Sequence, residues 1–338
     1  MRLQVGAVLP TLSKGRLTSS HIVRWCAAQK NWAKIHYDES YARGRAKLPG
    51  TLINGALKQH LLVQFLTDAF EAKCWVWRID YQFMGLDLVG QELQIRGVIT
   101  EITKKNKLTF ITVNLECFNT DTNAVTTKGQ GIVIIDQSDA PLKKVIDMDL
   151  PEHLKLNERI EPVEGEVASN IQDLIGQELD HLESYYPLDL SRLSLFADAI
   201  MGLHPMHFDP KASVNGPYGI PVAPPLFPLH GIELLPGTYT LSTEHDASGR
   251  EGVVELPFNI ASRFGISPAG SLNGGSKIEI YSLLPIGGRV VATSKLVGAK
   301  HKIGRSGTAM LIFETINKFR AFTGEPLLTE RHSSIYRL

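Results

Sequence analysis

The chain has 338 residues, 43% hydrophobic and 21% charged, a globular composition that suits two domains of about 150 residues each. Lys+Arg and Asp+Glu total 35 each, so no overall field draws the chain to nucleic acid or to an anionic membrane. The longest apolar runs, Leu61 to Leu66 and Pro221 to Leu229, are far below the roughly 20 residues that span a bilayer. The start lacks the h-region and cleavage site of a secretory leader, and Cys26, Cys74 and Cys117 form no disulfide framework, which together point to the cytoplasm.

The opening VGAVLPTL from Val5 leads into a helix-like HIVRWCAAQ from His21 and then into KIHYDESYA around His36. Asp38 there reads as the cap of the turn before ESYARGRAK. In LPGTLINGALKQHLLVQFLTDAF, Ile53, Ala56, Leu57, Leu61, Phe65 and Leu66 recur at helical spacing after Gly50 and Thr51, which predicts one long, largely buried helix beginning near Leu52. Four strand-like runs follow: CWVWRIDYQFM, ELQIRGVITEIT, LTFITVNLECF and TTKGQGIVIID. The turn segments GLDLVG, KKNK and NTDTN separate them. A helix followed by an antiparallel meander predicts a curved sheet wrapped around that helix, an α+β hot dog. Residues 137–169 are polar, carry Pro141, Pro151 and Pro162, and read as a linker with one helical turn.

The second half repeats this order. IGQELDHL from Ile175 leads through LSRLSLFADAI to PMHFDPKAS around His207, and SKIEIYSLL, GRVVATSKLVGAK, GTAMLIFETINKF and LLTERHSSIYRL repeat the later strands. Pro224, Pro225 and Pro228 make any central helix here start late and stay short. Gly6 and Gly176 are 170 residues apart and His36 and His207 are 171 apart, so glycine, helix and H-[YF]-D recur in register. The division is therefore 1–136 for the half with the better-preserved motif, 137–169 for the linker and 170–338 for a degenerate second half: a double hot dog whose two sheets join edge to edge, because exposed edges invite pairing.

The run from Lys30 to His36 followed by Leu48 to Gly55 resembles the signature of the MaoC-like dehydratases, which include the R-specific enoyl-CoA hydratases: G-D-x-N-P-x-H, then a small-residue helix start ending in H-G. The tail from LNGGSKIEIY to SSIYR resembles the degenerate half of fused members such as mesaconyl-CoA hydratase-like proteins, although in those relatives the degenerate half comes first and here it comes second. The resemblance implies a lyase that adds water reversibly to a 2-enoyl thioester, giving a 3-hydroxyacyl thioester, with no metal and no cofactor. In that family the Asp of the motif and the His five residues later hold a water. Asn31 stands at the Asp position here and Gly202 in the second copy, and neither is a general base; some fused relatives read W-N-x-H-R-I-H-Y-D at this place.

Hydration needs a base for the attacking water, an acid at C2 and donors for the enolate-like thioester oxygen. An imidazole titrating near 6.5 suits either proton transfer, so His36 is the first candidate. Asn31 would orient the water. Thr51, Asn54 and Gly55, at the start of the long helix, are candidates for holding the thioester oxygen, since unpaired donors and the positive helix end coincide there; Gly55 also allows close approach of substrate. Arg43, Arg45 and Lys47 are candidates for the phosphates of coenzyme A, ahead of Lys300, Lys302 and Arg305 because they adjoin the motif. His207 reads as structural or as a pocket wall. Two other functions compete: a hot-dog thioesterase, against which Leu48 to Leu57 carries no carboxylate, and a non-catalytic acyl-binding subunit, which the missing aspartates suggest. The expected partner is an acyl-CoA or acyl-carrier thioester, with assembly into a homodimer left open.

Overall fold

The structure is a computed structural model and describes residues 3–70, 74–137, 142–202, 204–236, 260–266, 271–304 and 307–338. In chain order the first half gives β1 (Leu12–Arg16), α1 (Ser19–Gln29), α2 (Glu39–Gly44), α3 (Gly55–Phe70), β2 (Cys74–Phe83), β3 (Glu92–Lys105), β4 (Leu108–Asn119) and β5 (Ala124–Asp136). The remainder gives α4 (Ser169–Gln172), β6 (Glu178–Glu183), α5 (Leu190–Ala199), α6 (Pro210–Val214), α7 (Ile260–Arg263), β7 (Ser271–Ile280), β8 (Val290–Ile303), β9 (Ala309–Ala321) and β10 (Pro326–Arg337).

The ten strands among the described residues form one sheet in the order β1-β3-β4-β5-β2-β7-β10-β9-β8-β6. Read outward from the middle, the two halves of this order correspond strand for strand. They join where β2 pairs antiparallel with β7, Ile79 opposite Ile278, so the expected continuous sheet is present. The fold is an α+β double hot dog. The edge strands β1 and β6 fall in the two opening segments, whose short polar runs carry no period-2 signal strong enough to mark them.

The helix α3 is the filling of the first half. Leu57, Leu61, Leu62, Phe65 and Leu66 are all buried, each worth roughly 1.5–3 kcal/mol relative to exposure. A Cβ on Gly97 of β3 would lie 2.7 Å from the Phe65 ring, so glycine there lets helix and sheet close together. The helix begins at Gly55, later than the Leu52 expected. Residues before it are extended because their backbone pairs elsewhere: Leu52 N donates to Ile35 O at 2.9 Å and Ile53 N to Asp87 O at 2.8 Å. Asp38 caps α2 by accepting from Tyr41 N at 2.9 Å. The second half has no counterpart to α3 among the described residues. Its proline-rich segment gives only a 3-10 turn, Phe227–His230.

Residues 142–168 run across the sheet on the face away from α3. Successive side chains of β2 alternate, so Tyr81 faces Gln59 of α3 while Arg78 faces the other way. There Arg78 holds the carbonyls of Leu154 and Lys155, Arg331 those of Asn157 and Arg159, and Lys300 pairs with Glu161 and Glu164.

Between the halves, α1 packs on α5 around buried rings. The Trp25 ring centroid lies 5.2 Å from His60, 5.3 Å from His230 and 5.5 Å from Phe196. Burial pushes His230 down to about 3 and His60 well below the usual imidazole range, and it pushes His207 down to about 4. An unfolded chain takes up a proton on each near pH 6.5, which the folded chain resists. Stability is therefore full above about pH 6.5 and falls as pH drops from there toward the folded values, by about 1.4 kcal/mol per pH unit for each histidine. Urea melts at about pH 7 and about pH 5 should show the loss. Coincident midpoints would rule it out.

Candidate active site

A cleft of about 280 Å³ lies between the halves, lined by the H-Y-D loop, the start of α3, the β2–β3 connection, and β7, β9 and β10. His36 ends the 3-10 turn Lys34–His36 and lines it. Its Nδ1 lies 2.9 Å from Leu52 O. A carbonyl only accepts, so Nδ1 carries the hydrogen and, in the neutral ring, Nε2 keeps its lone pair. The second copy repeats this geometry: His207 Nδ1 lies 2.8 Å from Val222 O, and Val222 N donates to Met206 O as Leu52 N donates to Ile35 O. His207, however, is buried and outside the cleft lining.

Asn31 also lines the cleft, just after α1 ends on Lys30 in the left-handed conformation (φ 58°). Its Oδ1 accepts from Ala33 N at 3.0 Å, which shapes the turn into His36 and leaves the amide hydrogens as its donors. Asn54 is buried at the foot of the cleft beside the Cys26 thiol. Gly55 opens α3, where the first backbone N–H groups have no intrahelical acceptor. A Cβ there would lie 2.8 Å from the Phe83 ring, so the space that this glycine leaves is taken by Phe83.

The structure thus brings His36, Asn31, Asn54 and Gly55 to one cleft. It does not bring Thr51 or the basic cluster. The Thr51 N–H donates to Glu39 at 3.0 Å, and Thr51 is outside the lining. Arg43, Arg45 and Lys47 are exposed and outside it too, Arg43 pairing with Glu39. Of the competing cluster, Lys300 and Lys302 are held by Glu161 and Glu164, and Arg305 lies outside the described residues.

Several lining residues went unnoticed in the sequence. Lys58 and Asp87 form an ion pair at 2.7 Å with side chains 4% and 0% exposed; Asp87 also accepts from Asn119 at 2.8 Å and from Thr126 at 2.9 Å. Glu330, His332 and Asn317 line the far end of the cleft. The buried Lys58 sits at the fourth position of an apolar helix, a signal that could have marked it; the others look like ordinary polar strand residues. No group of three or more His, Cys, Asp or Glu side chains is placed to hold a metal among the described residues, and no described helix is long and apolar enough to cross a membrane.

Residues 10–89 match the family described as hydroxyacyl-thioester dehydratase type 2, a stretch that holds the H-Y-D loop and the start of α3. Solved structures carry the likeness over the whole chain. A MaoC domain protein dehydratase from Chloroflexus aurantiacus superposes with a TM-score of 0.66 at 10% identity, covering 99% of this chain and 96% of that one. A Mycobacterium tuberculosis protein described as having a double hotdog fold gives 0.56 at 12% identity, with coverage of 99% and 97%. A MaoC-like dehydratase from Phytophthora capsici gives 0.54 at 8% identity, with 98% and 95%. No curated protein matches at the sequence level. The resemblance to MaoC-like dehydratases read from the motif therefore recurs in the matched segment, and the fold of that group extends over both halves.

Proposed function

We propose that the chain is a hydratase/dehydratase that adds water reversibly to a 2-enoyl thioester, giving a 3-hydroxyacyl thioester. The observation that carries this reading is the imidazole of His36, fixed through Nδ1 on the Leu52 carbonyl and lining a cleft that also holds the start of α3. Water attacks C3 as its proton passes to Nε2; the resulting imidazolium then gives a proton to C2, so one group serves as base and acid in turn. The thioester oxygen, enolate-like between these steps, accepts from the N–H groups at Gly55 and the residues after it. Asn31 donates its amide hydrogens to the water oxygen and carries no charge.

Two carboxylates line the cleft, but neither is free to attack a carbonyl as a thioesterase would require. Asp87 is held by Lys58, Asn119 and Thr126, and Glu330 by Ser276 and Asn317. Hydration of a panel of short, long and polycyclic 2-enoyl-CoAs, followed as loss of the conjugated thioester absorbance, tests the proposal; no turnover of any of them would favour a non-catalytic acyl-binding subunit. Asn31→Asp is the sharper variant. A carboxylate can accept from Ala33 N as the amide does, so the loop should fold unchanged, and the restored motif should preserve or raise the rate. A clear fall in kcat with unchanged thermal stability would mean that the site is built around a neutral amide.

We assign the phosphates of coenzyme A to Arg45 and Lys47, with Arg43 shared with Glu39. Each charge-assisted contact of this kind is worth about 1–3 kcal/mol. Arg45→Ala with Lys47→Ala should raise KM for a CoA thioester about tenfold or more, and leave kcat and the KM for a pantetheine thioester unchanged. An equal rise for both substrates would place the phosphates elsewhere.

A further inference from the structure

The bulges of β3 and β8 bring the two half-sheets into correspondence, and the comparison exposes a difference. In the first half Gly97, Leu115 and Gly129 form one cross-strand row beneath α3, and Ile99, Val113 and Gly131 the next. A Cβ on Gly131 would fall against the Leu66 side chain and one on Gly97 against the Phe65 ring, so these two are small because a helix presses on them, while a Cβ on Gly129 would meet the β2 backbone at Asp80 O. The matching rows of the second half are Ser294, Asn317 and Glu330, then Leu296, Thr315 and His332. Two glycines are replaced by a glutamate and a histidine. These polar residues divide the apolar interior of the second half: Ala292, Phe319 and Leu328 belong to one cluster, and Leu296, Phe313 and Tyr336 to another.

Apolar side chains here would fuse the two clusters, and replacing buried charge by packed hydrocarbon is often neutral or stabilising. Fold stability alone therefore gives no reason for the band, whereas local rules are commonly broken at functional sites. The band is also organised. Ser276 Oγ donates to Glu330 at 2.7 Å, Asn317 donates to Glu330 at 3.0 Å, and Ser294 donates to Asn317 at 2.7 Å. Because the serine hydrogen goes to Glu330, its oxygen accepts from His332 Nδ1 at 2.9 Å. The neutral imidazole then offers Nε2 as an acceptor, on a side chain that lines the cleft. His332 lies opposite Ser276 of β7, which lies opposite Tyr81 of β2, so the band is two strand spacings, about 10 Å, from Tyr81, the residue that meets Gln59 of α3.

We propose that this end of the cleft binds a hydroxyl group on the substrate's acyl chain, the hydroxyl donating to His332 Nε2, so that the preferred substrates are hydroxylated acyl thioesters rather than plain alkyl ones. The inference rests on the hydratase reading for its chemistry but not for its test. A carboxylate-tailed chain is disfavoured by Glu330, and an alkyl chain leaves the band without a partner.

The experiment uses 2-enoyl-CoAs of one chain length bearing a hydroxyl at successive distal carbons, together with their saturated analogues. In wild type, one hydroxyl position should raise kcat/KM, and by calorimetry the affinity of the saturated analogue, about tenfold over the alkyl chain, the worth of one net hydrogen bond. His332→Leu should abolish that preference or reverse it. If nothing is turned over, the hydratase reading fails and the saturated analogues still decide the inference. Equal or undetectable binding of hydroxylated and alkyl chains by wild type would overturn it, whether or not the leucine variant folds, and so would a preference that survives His332→Leu in a folded protein.

Discussion

Hydration of a 2-enoyl-CoA should fall by about a hundredfold or more in His36→Ala, the range expected when a positioned acid–base group is removed. Asn31 can only orient water, and the cleft's carboxylates are engaged by other donors, so no neighbour takes over the proton. The loss should appear in kcat and kcat/KM alike, because the missing interaction is made in the transition state. The imidazole also ties the H-Y-D loop to Leu52, and removing that tie costs about 0.5–1.5 kcal/mol. His36→Gln, whose amide can donate to the same carbonyl, separates the two effects: it should restore thermal stability without restoring rate. Near wild-type turnover by either variant would remove His36 from the chemistry.

The largest effect on stability is expected at Asp87, more than thirty residues along the chain from the motif but against it in space, where its carbonyl accepts from Ile53 N at 2.8 Å. Asp87→Ala leaves the Lys58 ammonium buried without its counter-ion, and strands the donors of Asn119 and Thr126 as well. Breaking one partner of such a pair costs about 3–5 kcal/mol. Much of this is the penalty on the orphaned lysine, so Lys58→Met introduced together with Asp87→Val should recover most of it. Urea unfolding of the two single variants and the double gives the coupling directly. A loss below about 1 kcal/mol in Asp87→Ala would show that the ammonium reaches water, and the pair would then count as exposed.

The fold was largely legible because its strongest signals are local. The strand runs of the β2 to β5 meander, the amphipathic spacing of Leu57, Leu61 and Phe65 and the Asp38 cap all lie within short windows, and the halves were legible because the H-[YF]-D segment, itself short, recurs 171 residues on. The short second central element was legible too, since Pro224, Pro225 and Pro228 make any helix there start late and stay short, as the 3-10 turn Phe227–His230 does. The start of α3 was misplaced, because long-range backbone pairing with Ile35 and Asp87 outweighs the helical tendency of residues 52–54. At the site, the resemblance pointed to His36, Asn31, Asn54 and Gly55, which do share a cleft, whereas Thr51 was assigned on nearness in sequence and is turned toward Glu39. The polar band was invisible for a different reason. The run TERHSSIYR looks like a solvated strand, yet Glu330 and Arg331 are both buried, one facing the cleft and the other beneath residues 157–161. No single-sequence period distinguishes a strand covered on both faces by polar partners from one facing water.

The pairing of β2 with β7 has a consequence for how this architecture tolerates dilution. Two separate hot-dog chains meeting along such an edge exist as an equilibrium, and their shared cleft empties as concentration falls. Here the same edges are joined by a strap of some thirty residues that is itself fastened across the sheet by Arg78, Lys300 and Arg331, so the second half stays at a high effective concentration however few molecules are present. Reassembly of the cleft after unfolding is then a first-order event, with a rate independent of protein concentration. Sharing one chain also frees the halves from being copies of each other: one can keep a helix over Gly97, Gly129 and Gly131 while the other stands Glu330 and His332 in the matching space, a division that two identical subunits could never make.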